Sequence, residues 1–528
     1  LKSNPPQALR RFALPYAATW NVATRTWVLG AHKLERKKMS YPSATIATIT
    51  VALFASQAQA QASPPLENQP EVEGSAIGIS QPDSETSVAT PAQAQDETRE
   101  MAEHSAESGS LEDSDQSGMT TPAAFRFAGS MASLWTPQMV EAINQDIHVT
   151  MPLMIHPQEY FDEGTYVWDA WPIRNPDGSV TEFDGWVVMV ALSSTWNEVE
   201  ETGHAFYTLS ELRYWYTRDG DWRPGGTIFA REEGLGSRQW AGSALYDPEV
   251  DEVTLFYTAV GDPDAPSLDE DPAPGTVSIF NEAIGRPSTV QRLASATATV
   301  AVTDDGIAFE NVGDHRIIGE ADGFWYDTYE TYLASEAVYG FRDPEFFTNP
   351  LTGEDQILFT ANAAGVPGPY NGTVGMLTRN DEGDWDLEPP ILISAGVNSQ
   401  LERPHVVLRD DGLYLFFSTH DFTFSPEVHG PRGLYGFRAA SGNIRGHLQP
   451  LNEHGLVAAN PRNAPAQVYS YLVLPDGRVM SYLNVLWGFA QRPEYADLEM
   501  FGAPAPMFQL VLDGNTAMVG AQDSDASE

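Results

Sequence analysis

The chain is 528 residues long, carries 29 Lys plus Arg against 73 Asp plus Glu, and contains no cysteine. Its formal charge of −44 argues against nucleic acid and anionic membranes as partners, since both would repel it. Without cysteine, thiol catalysis, cysteine metal sites and disulfide staples are excluded.

Charge is unevenly spread from the start. Residues 1–38 hold Lys2, Arg10, Arg11, Arg25, Lys33, Arg36, Lys37 and Lys38 against Glu35 alone, and the first residue is Leu1, which reads as upstream or extended leader. Arg36-Lys37-Lys38 precede an uncharged apolar run from Ala44 to Ala55, with small-residue cleavage options at Ala58-Gln59-Ala60 and Ala60-Gln61-Ala62. That is the pattern of a secretory signal, and the run falls short of the roughly 20 residues a membrane anchor requires. Residues 1–62 are therefore expected to be leader and signal, giving a secreted or periplasmic protein with no membrane partner after processing. Every lysine falls in this leader. Removing its eight cations and one acid leaves 21 Arg against 72 acids, a formal charge of −51 from Ser63 onward. Such a surface suits an ordinary acidic exoprotein, or adaptation to high salt, where screening removes the self-repulsion.

Residues 63–124 are rich in Ser, Glu, Asp, Gln and Pro with no hydrophobic period, the composition of a disordered acidic linker. Residues 125–515 form one large domain's worth of aromatic-rich sequence, and 516–528 read as a loose acidic tail. The domain opens on Leu134–Ile143, where Thr136 as N-cap, Pro137 at the first position and helical apolar spacing predict one short N-terminal helix. Strands are predicted at Trp186–Leu192, Glu211–Thr217, Val253–Ala259, Gln356–Ala361, Leu413–Ser418, Val468–Leu474 and Val479–Val485. Asp177-Gly178, Asp219-Gly220, Asp411-Gly412 and Asp476-Gly477 supply tight turns. The fold class is all-β, and a long run of hairpins favours a propeller over a sandwich, although no repeat of fixed period appears. The acidic segment Asp262–Pro272 lacks EF-hand spacing, so it is expected to be a surface insertion without metal.

Three segments centre on a carboxylate: Val167-Trp168-Asp169-Ala170-Trp171-Pro172, Phe341-Arg342-Asp343-Pro344 and Leu401-Glu402-Arg403-Pro404-His405. They are too far apart for local turn chemistry, so a closed fold must bring them together if they act as one site. Two carboxylates suffice for retaining glycoside hydrolysis, and a third could steady developing positive charge. Trp168 and Trp171 could pack their indoles on sugar around Asp169. Arg342 favours the ionised form of Asp343. Arg403 follows Glu402 directly but points to the opposite face of an extended strand, which leaves Glu402 free to carry the proton an acid needs.

In this order the Trp-Asp-Xaa-Trp-Pro, Arg-Asp-Pro and Glu-Arg-Pro-His boxes resemble the levansucrase and inulosucrase family, glycoside hydrolase family 68. The resemblance runs from Trp135 to near Leu512 and includes Gly185-Trp186, Trp240-Ala241-Gly242-Ser243, Gly430-Pro431, Tyr435-Gly436-Phe437 and Tyr469-Ser470. It implies a five-bladed β-propeller with a central funnel, sucrose as fructosyl donor, fructan and oligosaccharide acceptors, and no cofactor. It assigns Asp169 as nucleophile, Asp343 as transition-state stabiliser and Glu402 as acid/base. Trp168, Trp240, Arg342, Gln400, Arg403, His420 and Tyr469 match substrate-binding positions, although His420 alone would equally read as a strand-end histidine satisfied by backbone. Ala241 stands where the family usually has a Ser that orients the nucleophile, so Asp169 is expected to find Ser243 or water instead. Ser399-Gln400 replace the Asp-Glu pair of calcium-binding members, so no metal site is expected. The pattern is similar to Gram-negative members, and with the charge it points to a salt-tolerant or halophilic Gram-negative source. The expected activity is sucrose-dependent fructosyl transfer of the levansucrase kind. Hydrolytic β-fructofuranosidase or inulosucrase activity and a non-catalytic sugar-binding propeller are the competing readings.

Overall fold

The computed structural model describes residues 132–154, 164–202, 204, 206–262, 288–332, 339–484 and 502–520, all within the unit Gly118–Glu528. The expected leader, the expected linker and the acidic insertion beyond Asp262 lie outside these residues. The described part is mostly β, and none of its helices is long and apolar enough to cross a membrane.

The opening helix is confined to Pro137–Glu141, with Thr136 capping it by accepting the Met139 N–H. Its predicted start is pulled into a sheet instead: Ser133–Leu134 pair in parallel with Leu392 and Ile393. Trp135 causes this, because its fully buried ring sits among Phe417, Phe424 and Tyr435, with centroids 5.0 to 5.7 Å away. At all four Asp-Gly turns the glycine alone is left-handed, from φ 82° at Gly178 to 141° at Gly412, a conformation open to glycine without steric cost.

The strands form five antiparallel meanders, whose first strands are Thr165–Arg174, Arg238–Asp247, Phe341–Thr348, Glu402–Arg409 and Val468–Val473. The first two meanders share a nine-stranded sheet through parallel pairing of Ile173 with Ala244 and Arg174 with Leu245. Each first strand lies beside the next, and the fifth returns to the first. Hydrophobic cores fill the spaces between successive meanders, as where Leu358 and Met376 of the third meet Leu415 and Phe417 of the fourth. Strands such as Val468–Val473 are consequently buried on both faces, which explains their unbroken apolar runs. A buried ion pair between Arg174 and Glu345 ties the first inner strand to the third.

The domain continues past residue 515, where a loose tail was expected. Thr516–Val519 pairs with Phe508–Asp513, and Ala517 is buried. Apolar positions alternating through Ala517 and Val519 outweigh the acidic character of residues 523–528.

Candidate active site

Each first strand breaks register with its neighbour at the same place. Trp168 pairs with Leu192 and Trp171 with Val190, so three steps on one strand answer two on the other. The same bulge separates Trp240 from Ser243, Arg342 from Glu345, Glu402 from His405 and Tyr469 from Leu472. The second residue of the step is left-handed at Asp169 (φ 45°), Asp343 (63°), Arg403 (51°) and Ser470 (58°), and Ala241 fills the fifth position. Bulges re-aim side chains, and left-handed non-glycine residues gather where a site over-determines the backbone. Every predicted site residue except Gln400 and His420 occupies one of these steps.

The steps are linked across strands. Arg342 Nη2 donates to Glu402 Oε1 at 2.7 Å and to Gln400 Oε1 at 2.6 Å, while its Nε lies 3.5 Å from Asp343 Oδ2. That Oδ2 also receives the Arg403 N–H at 3.0 Å and the Thr360 hydroxyl at 2.9 Å. Thr258 accepts the Asp343 N–H and donates to the Ala241 carbonyl, both at 2.9 Å. Tyr469 OH donates to Glu402 Oε2. The His420 ring stacks on Tyr469 at 3.6 Å between centroids, with Nε2 3.8 Å from Glu402 Oε2.

The three carboxylates feel one another. Burial raises the pKa of Glu402, opposed by Arg342 and the Tyr469 hydrogen bond and reinforced by Asp343 and Asp169. Burial also raises that of Asp169, opposed by Arg403 and a Ser470 hydrogen bond. His420 is pushed well below its ordinary value by burial, Arg432 and Arg342, so it faces Glu402 as a neutral ring. The site can thus hold a proton on one carboxyl group while cations and donors steady the others. Among the described residues no cluster of His, Asp or Glu is arranged to hold a metal.

Three details differ from the sequence expectations. Trp171 is 1% exposed and packs in the core with Val190, so it offers no indole to a ligand. Ser243 donates to the Pro344 carbonyl and accepts the Phe346 N–H, and the hydroxyl that lowers the Asp169 pKa is that of Ser470. The cation on Glu402 is Arg342. Arg403 points away from Glu402, as its place next in the strand led one to expect, and donates to Ser470 Oγ at 2.7 Å and the Ala170 carbonyl at 2.9 Å. Trp168 lies edge-on to Phe206 at 4.9 Å between centroids, and Trp240 is anchored by its Nε1 to the Tyr207 carbonyl at 3.0 Å. The supporting roles of Thr258, Thr360 and Ser470 have no signal in residue type, and what finds them is the shared bulge register.

The chain is similar to known proteins. The profile of glycoside hydrolase family 68, described as Levansucrase/Invertase, matches residues 125–375 and 370–524. The chain is 28% identical to a levansucrase of Rahnella aquatilis over 427 residues, 73% of this chain and 94% of that protein. It is 27% identical to an extracellular sucrase of Zymomonas mobilis over 412 residues, covering 73% and 92%. An inulosucrase from Halalkalicoccus jeotgali, solved with kestose bound, superposes with a TM-score of 0.63 at 33% identity over 74% of this chain and 95% of that one.

Proposed function

Since the chain belongs to the levansucrase/invertase family of glycoside hydrolases, whose members act on sucrose by fructosyl transfer or hydrolysis, we propose that it cleaves sucrose through a covalent fructosyl-enzyme built on Asp169. The observation that carries this reading is the placement of three carboxylates on equivalent bulges of the first, third and fourth inner strands, with Arg342 between Asp343 and Glu402 and the Arg403 N–H on Asp343. The five meanders act as blades of a five-bladed propeller, and the bulges line the bottom of its funnel.

In the first step an Asp169 oxygen attacks the anomeric carbon of the fructosyl unit. The bond to the glucosyl oxygen breaks, and Glu402 gives that oxygen its proton. Positive charge grows on the fructosyl ring meanwhile, and the Asp343 carboxylate, held by Thr360 and the Arg403 N–H, stabilises it. In the second step Glu402 takes a proton from water or a sugar hydroxyl, whose oxygen bonds to the anomeric carbon as the ester to Asp169 breaks. Raised pKa at Glu402 suits the proton it must carry first. Trp168, Trp240, Gln400, His420 and Tyr469 shape the donor pocket.

For the acceptor step, inulin-type transfer or hydrolysis is the reading adopted, supported by the 33% identity to the kestose-bound inulosucrase structure. An extracellular setting follows from the leader pattern. Incubation of the full chain with concentrated sucrose tests both half-reactions. Glucose release with free fructose or β(2→1)-linked oligomers is expected, and Asp169→Asn should abolish it while leaving circular dichroism unchanged. Persistent turnover in that variant would show the nucleophile to be misassigned.

A further inference from the structure

His420 follows the strand Gly412–Thr419 and leads into the single helical turn Asp421–Thr423. Among the described residues no hydrogen bond holds its ring: Nδ1 is buried without a partner, and Nε2 stands 3.8 Å from Glu402 Oε2, beyond hydrogen-bond reach. Buried polar atoms are normally paired, so something else must orient this ring beside Glu402. Stacking does. The ring lies 3.6 Å from that of Tyr469 and 4.5 Å from that of Phe422 between centroids, within 20° of parallel to each. Arg432 reaches the same two rings, its Cζ 5.8 Å from the Tyr469 centroid and 6.0 Å from that of Phe422, the range of cation–π attraction. The guanidinium is itself fixed, because Nε and Nη2 both donate to Asp421 Oδ1, at 3.2 and 3.1 Å. Strand pairing explains the meeting: Thr419 faces Gly433 across the hairpin, which sets Arg432 opposite His420. The Arg432 side chain is 9% exposed and that of Asp421 53%, so the cation is desolvated while its tether stands at the surface.

We propose that Arg432, tethered by Asp421, is a positioning residue that clamps the Phe422, His420 and Tyr469 rings beside Glu402. The inference rests on the reading of Glu402 as acid/base. Tyr469 comes from the fifth meander, and Arg432, His420, Phe422 and Glu402 come from the fourth, so the clamp fastens two meanders where the acid/base stands. Tyr469 OH donates to Glu402 Oε2. A ring that slips therefore takes a hydrogen bond away from that carboxyl group. Arg342, Asp343, Asp169, His420, Tyr469 and Tyr482 are the charged and titratable groups that face Glu402; Arg432 and Arg342 face His420.

Arg432→Met removes the cation and Asp421→Ala removes its tether, with opposite changes in charge. Both should lower kcat/KM for glucose release from sucrose by on the order of 5- to 30-fold, the scale of one desolvated cation–π contact. At constant high salt, where exposed charge is screened, both should also move the basic limb of the pH profile upward. Glu402 then loses the Tyr469 donor that favours its ionised form. Arg432→Lys keeps the charge but not the fork, and its loss should fall between wild type and Arg432→Met. A bare field effect would send the two limbs in opposite directions, and that result would overturn the clamp, as would wild-type kinetics in both variants. Circular dichroism checks the fold; if Arg432→Met does not fold, Asp421→Ala decides, and wild-type kinetics there overturn the proposal. Undiminished sucrose turnover in Glu402→Gln refutes the acid/base reading itself, whereas a crippled Glu402→Gln beside indifferent Arg432→Met and Asp421→Ala refutes the clamp alone.

Discussion

Acid should unfold this protein partly through one histidine. His405 is 1% exposed. Its Nε2 accepts the Val473 N–H at 2.8 Å and its Nδ1 lies 2.9 Å from the Arg403 carbonyl. One nitrogen must accept and the other donate, so the ring is neutral with its proton on Nδ1. A second proton would place an N–H against the Val473 N–H. Burial, joined by Arg174 and Arg403, pushes the pKa down from 6.5 to about 3. The unfolded chain therefore binds more protons than the folded one between those values, and stability falls as pH drops below 6.5. At about 1.4 kcal/mol per pH unit the loss is roughly 3 kcal/mol by pH 4 and about 5 kcal/mol at the limit, a large part of a domain's 5 to 15 kcal/mol. Asp169, Glu402 and Glu345, whose pKa values burial raises, work in the opposite direction. Their contribution cancels when wild type is compared with His405→Gln. Urea unfolding followed by tryptophan fluorescence at constant high salt should show the variant less stable at pH 7 but losing less on acidification. The gap should narrow by roughly 3 kcal/mol between pH 7 and 4. A gap that stays constant with pH would refute the neutral, doubly bonded ring.

Glu402→Gln should slow sucrose cleavage by roughly 10²- to 10⁴-fold, and an aryl fructoside, which needs no proton on its leaving group, should recover part of the rate; equal losses on both donors would count against an acid role. Arg342→Ala removes the cation that draws the Glu402 pKa down, so the basic limb of the pH profile should move upward as kcat/KM falls by about tenfold or more. An unmoved basic limb would show that another group sets it. The acidic surface predicts that Tm rises as NaCl goes from about 0.1 M to about 2 M, because screening relieves self-repulsion; a flat or falling Tm by calorimetry would exclude salt adaptation.

The strands and the three carboxylate boxes are legible in the sequence because their signals are local: apolar alternation, Asp-Gly turns, and an acid set between bulky neighbours and proline. The equivalence of the five boxes is not, because it is written in register rather than in residue type. Trp168, Trp240, Arg342, Glu402 and Tyr469 range from indole to guanidinium, carboxylate and phenol, yet each opens the same three-against-two step. The bulge also explains why Trp171 misleads. Three residues apart on an unbroken strand, Trp168 and Trp171 would face opposite sides, but the extra residue sets them against Leu192 and Val190, which share one face, and Trp171 goes into the core. For the same reason the partners of a carboxylate cannot all be read from its sequence neighbour. Arg403 follows Glu402 but donates to Ser470 and the Ala170 carbonyl, whereas Arg342 precedes Asp343 and pairs with Glu402 as well as with Asp343. Each bulge sends adjacent side chains to different strands, so the site is assembled by exchange between strands that are distant in sequence.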